Sequence, residues 1–393
     1  MKISKILLCL KVVFSSKFRF KNPEHKPMIL FDGMSSDKLR HVLKNFKHFI
    51  LETRFERTKE FFITKKIIFA TIKNLKIGLF DSYLLSIIDE INPKIVFTFI
   101  DNSHRFSNFS KLRENNYHFI ALQNGARYEH KITEKLKKKK IHVAIDRFNI
   151  PNFFCFGDYE IEDYKKTNQN IKNFYKVGSL KLANFKFKKK IRKNIKEYDI
   201  FLISDFDCWD KILNKLNYPI EKGLVKLIKY TIKFSINNNL KIRIASRNPK
   251  NNFEKERIFY KNNLTNVEYK YLVKNIFFRP KNYQSYDTML KSKLVIGTMS
   301  TMLRENLSLG GKTLACNFTK TDIFNFPIKG ICFLDKDNYN FFEKRLNKLF
   351  KISNQKYFIK LNKNASYVSY TNLKNKTDTI NLVTKKIKSI LIK

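Results

Sequence analysis

The sequence predicts an α/β protein in which two parallel sheets, each flanked by helices, form two domains facing a cleft. Two observations carry that prediction. Strand-like apolar runs alternate with helix-length segments from one end of the chain to the other, which is the pattern left by parallel strands joined through crossover helices. The 393 residues also suffice for two or three domains of ordinary size, each able to bury its own core without disulfides or a structural metal.

Taken in order, Met28 to Phe31, Phe49 to Thr53, Ile95 to Ile100, Phe119 to Gln123 and Phe153 to Phe156 read as strands of the first half. Between them, Leu84, Leu85, Ile87, Ile88 and Ile91 recur at helical spacing over Asp81 to Ile91, and Asn92-Pro93 stops that helix just before a strand. A short strand ends at Val177-Gly178-Ser179, and the lysine-dense stretch Phe185 to Lys196 reads as the linker, which divides the chain into 1–190 and 191–393. The second half repeats the pattern at Ile200 to Ile203, Lys241 to Ala245, Val267 to Leu272, Leu294 to Ile296, Thr313 to Cys316 and Ile331 to Leu334. Thr379 to Leu391 closes the chain as an amphipathic helix. Both halves are thus Rossmann-like, and ligands of such sheets sit beyond the carboxyl ends of the strands, here in the interdomain cleft.

Composition narrows the class further. Lys and Arg number 79 against 34 Asp and Glu, a net charge of +45, yet 43% of residues are apolar and 15% aromatic. That is too hydrophobic for a disordered polybasic tail. The basicity has two equally fitting origins, an AT-rich coding sequence rich in Lys, Asn, Ile and Phe, or selection for an anionic partner; either way the field draws the chain toward anionic lipids and nucleotides. Five cysteines without a Cys-x-x-Cys pair fit reduced, buried thiols and a cytoplasmic protein. The apolar run Ile6 to Phe14, broken by Lys11, is too short to span a bilayer and lacks an Ala-x-Ala cleavage site, so membrane contact is expected to be peripheral, with Met1 to Lys21 either an interfacial anchor or a first packed strand and helix.

The segment Leu294 to Phe318, LVIGTMSTMLRENLSLGGKTLACNF, is where chemistry is expected. A buried strand ends at Gly297, a hydroxyl-rich turn ends at Ser300-Thr301, and a helix carrying Glu305 follows. Amides at that helix start suit a phosphate, and Glu305, one turn on, suits a ribose. The same spacing fits a plain cap by Ser300 or Thr301. All seven histidines lie before position 150, so the second half holds no imidazole base. His104 follows the strand end Asp101-Asn102-Ser103, which makes His104 and Asp101 rival general bases. Gln123-Asn124-Gly125-Ala126-Arg127 sits at another strand end, either as a sugar-binding turn or as an ordinary Asn-Gly turn. Asp205-Phe206-Asp207 has the form of a metal-binding Asp-x-Asp, but its setting between Rossmann-like units argues against that use. No Gly-x-x-x-x-Gly-Lys-Ser/Thr or Gly-x-Gly-x-x-Gly is present, which argues against a P-loop kinase or a typical NAD enzyme.

The strand, Gly-x-x-Ser-Thr turn, Arg-Glu helix and Gly-Lys strand resemble the donor half of bacterial surface-carbohydrate and capsule biosynthesis transferases of GT-B type. Ile91-Asn92-Pro93-Lys94 leading to Phe99-Ile100-Asp101-Asn102-Ser103, then Leu122 to Arg127, Phe156-Gly157 and Val177-Gly178-Ser179 extend the likeness over most of the chain. The resemblance implies a nucleotide-activated sugar donor held by the C-terminal domain through Gly297, Ser300, Thr301, Glu305 and Arg247. It also implies a glycan or lipid-linked acceptor met by Asn102, Gln123, Asn124, Gly125, Arg127 and Ser179, with Asp101 or His104 as base and with no metal or other cofactor. One departure is that the Lys-x-His-Pro element of related enzymes reads Ala245-Ser246-Arg247-Asn248-Pro249 here; Arg247 supplies a cation for phosphate but no titrating group. The expected function is transfer of a sugar or related unit onto a surface glycan or its precursor, with an anionic membrane surface as a possible partner and no specific nucleic acid. The rival reading is a non-enzymatic protein that binds nucleic acid or anionic lipid; it accounts for the charge but predicts lysines gathered in one groove, whereas the lysines are dispersed.

Overall fold

A computed structural model describes residues 3–140, 147–188, 196–206, 219–278, 284–370 and 379–392. The strands are β1 (Lys17–Arg19), β2 (Met28–Phe31), β3 (His48–Leu51), β4 (Glu60–Phe62), β5 (Ile95–Thr98), β6 (His118–Leu122), β7 (Asn152–Cys155), β8 (Asn173–Lys176), β9 (Tyr198–Ile203), β10 (Ile242–Ala245), β11 (Ile276–Phe277), β12 (Ser292–Gly297), β13 (Lys312–Cys316) and β14 (Phe333–Leu334). They form two six-stranded sheets, ordered β3-β2-β5-β6-β7-β8 and β11-β10-β9-β12-β13-β14, and every pairing is parallel. The order reverses between β2 and β5 in the first sheet and between β9 and β12 in the second. These are the switch points at which a crevice opens outside the carboxyl ends of the strands.

Near-continuous apolar runs form these strands because both faces of each sheet are covered. In the first sheet the side-chain alternation is visible residue by residue. Ile29, Phe31, Val96, Phe119 and Phe153 face one core with Leu84, Leu85, Ile88 and Ile91 of helix Leu79–Ile91. Met28, Leu30, Ile95, Phe97, Ile120 and Leu122 face the other. Asn92, left-handed at φ 47°, ends the helix where Asn92-Pro93 predicts.

One predicted strand is a helix. Val267 to Leu272 lies inside helix Asn266–Asn275, and the edge strand of that sheet is the two-residue β11 that follows. The cause is a capping box: Thr265 Oγ1 accepts from the Glu268 amide at 3.3 Å, and Glu268 Oε2 accepts from the Thr265 amide at 2.8 Å.

The ends of the chain also depart from the expected partition. Helix Thr379–Ile392, assigned from sequence to 191–393, buries Ile380, Val383 and Ile387 in the first domain's core, against helices Ser36–Leu43 and Leu180–Lys188. The returning chain runs close to Gly157 and Gly178, and the Tyr370 amide donates to the Phe156 carbonyl at 2.7 Å. Helix Leu180–Lys188 serves both domains, with Leu180 and Ala183 in one core and Leu182 and Phe185 in the other. Part of the predicted linker, 189–195, lies outside the described residues. Helix Ile3–Ser15 and β1 stand apart from both large sheets, because β1 pairs only with β4.

Candidate active site

The carboxyl ends of both sheets meet at the domain boundary, where the Gln123–Arg127 turn, Ser179, Thr301 and Glu305 come together. Asp101, three residues past β5, is buried with its carboxylate engaged at both oxygens. Oδ1 accepts from the Asn124 amide at 3.0 Å and from Arg127 Nη2 at 2.5 Å, and Oδ2 accepts from Arg127 Nε at 2.8 Å. The Gln123–Arg127 turn is thereby folded back onto the end of β5. Asp101, expected as one of two rival bases, is thus oriented by a bidentate contact with a guanidinium, a geometry that fixes both partners in place. His104 opens helix His104–Arg113, capped by Ser103, and is exposed, with its ring edge-on to Phe148 at 5.5 Å between centroids. Asn102 is half-buried beside it.

The turn also reaches across the boundary. The Ala126 amide donates to Thr301 Oγ1 at 2.8 Å, and a Cβ on Gly125 would lie 3.2 Å from the same oxygen. Tyr128 donates to the Met299 carbonyl at 2.9 Å. Gln123 is buried, with Oε1 accepting from the Phe156 amide at 2.7 Å and Nε2 donating to the Gly125 carbonyl at 3.0 Å and to Glu160 Oε1 at 3.3 Å. Glu160 in turn pairs with Arg304 of the second domain, and the Arg304 guanidinium lies 4.9 Å from the Tyr159 ring centroid. Sequence reasoning missed Glu160, although Gly157-x-x-Glu160 after a strand has the spacing of a cap whose carboxylate points back.

On the donor side, Gly297 ends β12, Ser300 Oγ accepts from the Met302 amide at 3.3 Å, and helix Thr301–Ser308 follows. Ser300 thus fills the capping role the spacing allowed. The Thr298 and Met299 amides both donate to Asp205 Oδ2 at 3.0 Å, so a buried carboxylate from the end of β9 bridges the switch point to the end of β12. Burial pushes the Asp205 carboxyl up, with the two amides and nearby Arg247 acting against it. Asp207 lies outside the described residues, and among the described residues no group of three or more His, Cys, Asp or Glu is placed to hold a metal ion.

Glu305, expected to meet a ribose, has both carboxylate oxygens engaged by protein partners. It is buried; Oε1 accepts from Ser179 of the first domain and Oε2 from Tyr286 at 2.9 Å. Burial raises its carboxyl well ahead of the opposing effects of Ser179, Lys181 and Tyr286. It ties the domains together. Arg247 is exposed at the end of β10, and its amide donates to Glu256 Oε1 at 3.1 Å. Buried Glu256, a residue sequence reasoning passed over, also accepts from Ser204 at 3.0 Å, Tyr260 at 2.8 Å and the Asn248 amide at 3.0 Å, which holds the ends of β9 and β10 in register. The structure thus brings the Gln123–Arg127 turn onto Ser300-Thr301, and Ser179 onto Glu305. His104 and Arg247 stay at the surface of their own domains.

No curated protein matches the sequence. Among solved structures, the chain is similar to UDP-GlcNAc 2-epimerase from Neisseria meningitidis bound to UDP-GlcNAc, with 12% identity, a TM-score of 0.51, and 93% of this chain and 99% of that one covered. It is similar also to MnaA of S. aureus with UDP, with 13% identity, a TM-score of 0.50, and 92% and 95% covered. Likeness at this identity concerns the fold, two Rossmann-like domains in the GT-B arrangement. A family model described as "putative O-antigen biosynthesis protein" matches residues 120–329, which run from the Gln123–Arg127 turn through the Ser300-Thr301 turn. With more than half of its length matched, the chain belongs to this O-antigen biosynthesis family.

Proposed function

We propose that the protein is a metal-independent transferase that moves a sugar or related unit from a nucleotide-activated donor to a surface glycan or its lipid-linked precursor. The observation that supports this most directly is the meeting of Gln123–Arg127 with Ser300-Thr301 at facing strand ends, within the span that defines an O-antigen biosynthesis family. In this reading the start of helix Thr301–Ser308 and Arg247 bind the donor phosphates, since helix amides and a guanidinium stabilise a leaving phosphate without a metal. Asp101 positions Arg127 and the turn, and His104 takes the acceptor proton. The acceptor side faces the inner surface of the cytoplasmic membrane, where the protein works peripherally. Among the described residues no helix is long and apolar enough to cross a membrane.

A thermal-shift series with UDP, CDP and their sugar conjugates tests the reading. A ligand at about a hundred times its dissociation constant raises stability by about 2.7 kcal/mol. The transferase reading expects a saturable shift with one nucleotide family, weakened in Arg247→Ala, and no length-dependent gain with oligonucleotides. A shift that grows with oligonucleotide length instead would favour a nucleic-acid-binding protein.

A further inference from the structure

Helix Ile3–Ser15 and helix Lys65–Lys73 each expose a set of large apolar side chains to solvent. In the first, Val12 is buried, while Leu7, Leu10 and Phe14, which share one face at i, i+3 and i+7, are 61, 47 and 84% exposed. In the second, Ile67 and Thr71 face inward, and Ile68, Phe69 and Ile72 face solvent, continued by exposed Leu75 and Leu79. The second helix packs on helix Leu79–Ile91 through Ile67 and through Thr71, which donates to Ser86 at 3.3 Å, and the first is joined to it by a small sheet, so that together they make one appendage at the edge of the first domain. β1 pairs with β4, Phe18 stacks on Phe61 at 5.9 Å, Ser16 donates to the Thr58 carbonyl at 2.9 Å, and Phe62 leads through Thr64, which caps the second helix, into Lys65. Exposed Phe20 extends the apolar surface beyond β1.

We propose that this appendage is a docking surface for an anionic lipid bilayer. The occupant follows from charge. Residues 1–22 and 55–79 together carry twelve lysines and arginines against two glutamates, and Lys11, Lys17, Lys21, Lys73 and Lys76 are exposed among the apolar side chains. Leucine and phenylalanine inserted at headgroup depth with lysines around them is the arrangement by which an interfacial helix binds an anionic surface. A second copy of this chain would instead bring two strongly basic faces together. A helix of 13 residues is too short to span the hydrocarbon and lies in its plane. The place fits an acceptor held at a membrane, because the appendage adjoins the strand ends of the first domain. Thr53 donates to Asp32 at 3.2 Å and Arg54 pairs with it at 3.4 Å, and Phe55–Arg57 begins directly after them. The surface deepens the proposed function by naming its partner, but it stands on its own observations.

Flotation of the full chain with vesicles of phosphatidylcholine alone, or with phosphatidylglycerol added, tests the proposal. The wild type is expected to float with the anionic vesicles and hardly with the neutral ones. Leu10→Ser/Phe14→Ser and Phe69→Ser/Ile72→Ser should each lower that partition about tenfold or more, since each pair removes two apolar side chains from the interface. All four positions are exposed, so the variants should keep the wild-type melting curve and its response to UDP. The UDP response reports the nucleotide site separately, and its absence would count against the transferase reading while leaving the docking surface untouched. Equal flotation of variants and wild type, or equal binding to both vesicle types, would overturn the docking surface. So would a wild type that ignores vesicles, or one that sediments as a dimer that the variants dissociate.

Discussion

Arg304 of the second domain and Glu160 of the first form an ion pair whose side chains are only 2% and 3% exposed, so the domain boundary is sealed at this point by two opposite charges removed from water. Neither charge is tolerable there alone. Glu160 is held further by the Gly157 amide and Gln123, and Arg304 lies against Tyr159. Arg304→Met and Glu160→Gln are each expected to lower stability by about 3 to 5 kcal/mol in denaturant titrations, because each strands its partner. The double variant Arg304→Met/Glu160→Met should recover much of that loss, since a well-packed apolar pair needs no desolvation of charge. Equal losses in the single and double variants would mean that packing volume, and not charge, holds the boundary.

A second expectation concerns pH. Burial raises the Glu305 carboxyl above its ordinary value of 4.5. The folded protein therefore keeps this proton over a range in which the unfolded chain has released it. The stability that the group contributes is full below the unfolded value and is lost as pH rises toward the folded one, at about 1.4 kcal/mol per pH unit inside that window. Glu305→Gln removes the loss while keeping partners for Ser179 and Tyr286. Melting curves from pH 4 upward should show the variant gaining on the wild type as pH rises. A constant difference across the range would contradict the shift.

The fold was legible because its determinants are local and repeated. Runs such as Met28–Phe31 and Lys312–Cys316 are buried on both faces and declare themselves as strands, and Asn92-Pro93 marks a helix end without tertiary information. The helix at 266–275 was readable too, through Thr265-x-x-Glu268, but its β-branched and aromatic residues outweighed that cap. The candidate site was legible in position, not in role. Strand ends and turns locate Asp101, Gln123, Ser300 and Glu305 at the boundary, yet no spacing shows that Arg127 lies against Asp101 or that Ser179 lies against Glu305. These pairs are 26 and 126 residues apart in sequence and form only when two sheets and a returning chain are assembled. The C-terminal helix escaped for the same reason, since its apolar stripe says that it is covered but not by which domain.

The returning chain gives a third test. Gly178 has a φ of +78°, and a Cβ there would fall onto the Tyr370 carbonyl oxygen, with Thr379 Oγ1 at 3.2 Å. Gly178→Ala combines left-handed strain, about 1 to 2 kcal/mol, with a clash against the segment that carries the C-terminal helix back to the first domain. Gly78→Ala is the control, because its φ is +96° and its Cβ would meet nothing within 4 Å. Denaturation should show Gly178→Ala destabilised by at least about 1 kcal/mol more than Gly78→Ala. Equal effects would show that the crossing yields to a methyl group.

The last prediction separates the two candidate bases. Arg127 grips both oxygens of Asp101, which a lysine cannot do with the same geometry. If Asp101 acts by positioning the Gln123–Arg127 turn, Asp101→Asn and Arg127→Lys should lower kcat/KM for sugar transfer to similar extents, and the double variant should be little worse than either. The corresponding coupling is about 1 to 3 kcal/mol. His104→Gln should behave differently. It should lower kcat with donor affinity nearly intact, because a base acts mainly in the transition state. A full loss of turnover in Asp101→Asn with Arg127→Lys fully active would return the proton transfer to Asp101 and leave His104 as a surface residue against Phe148.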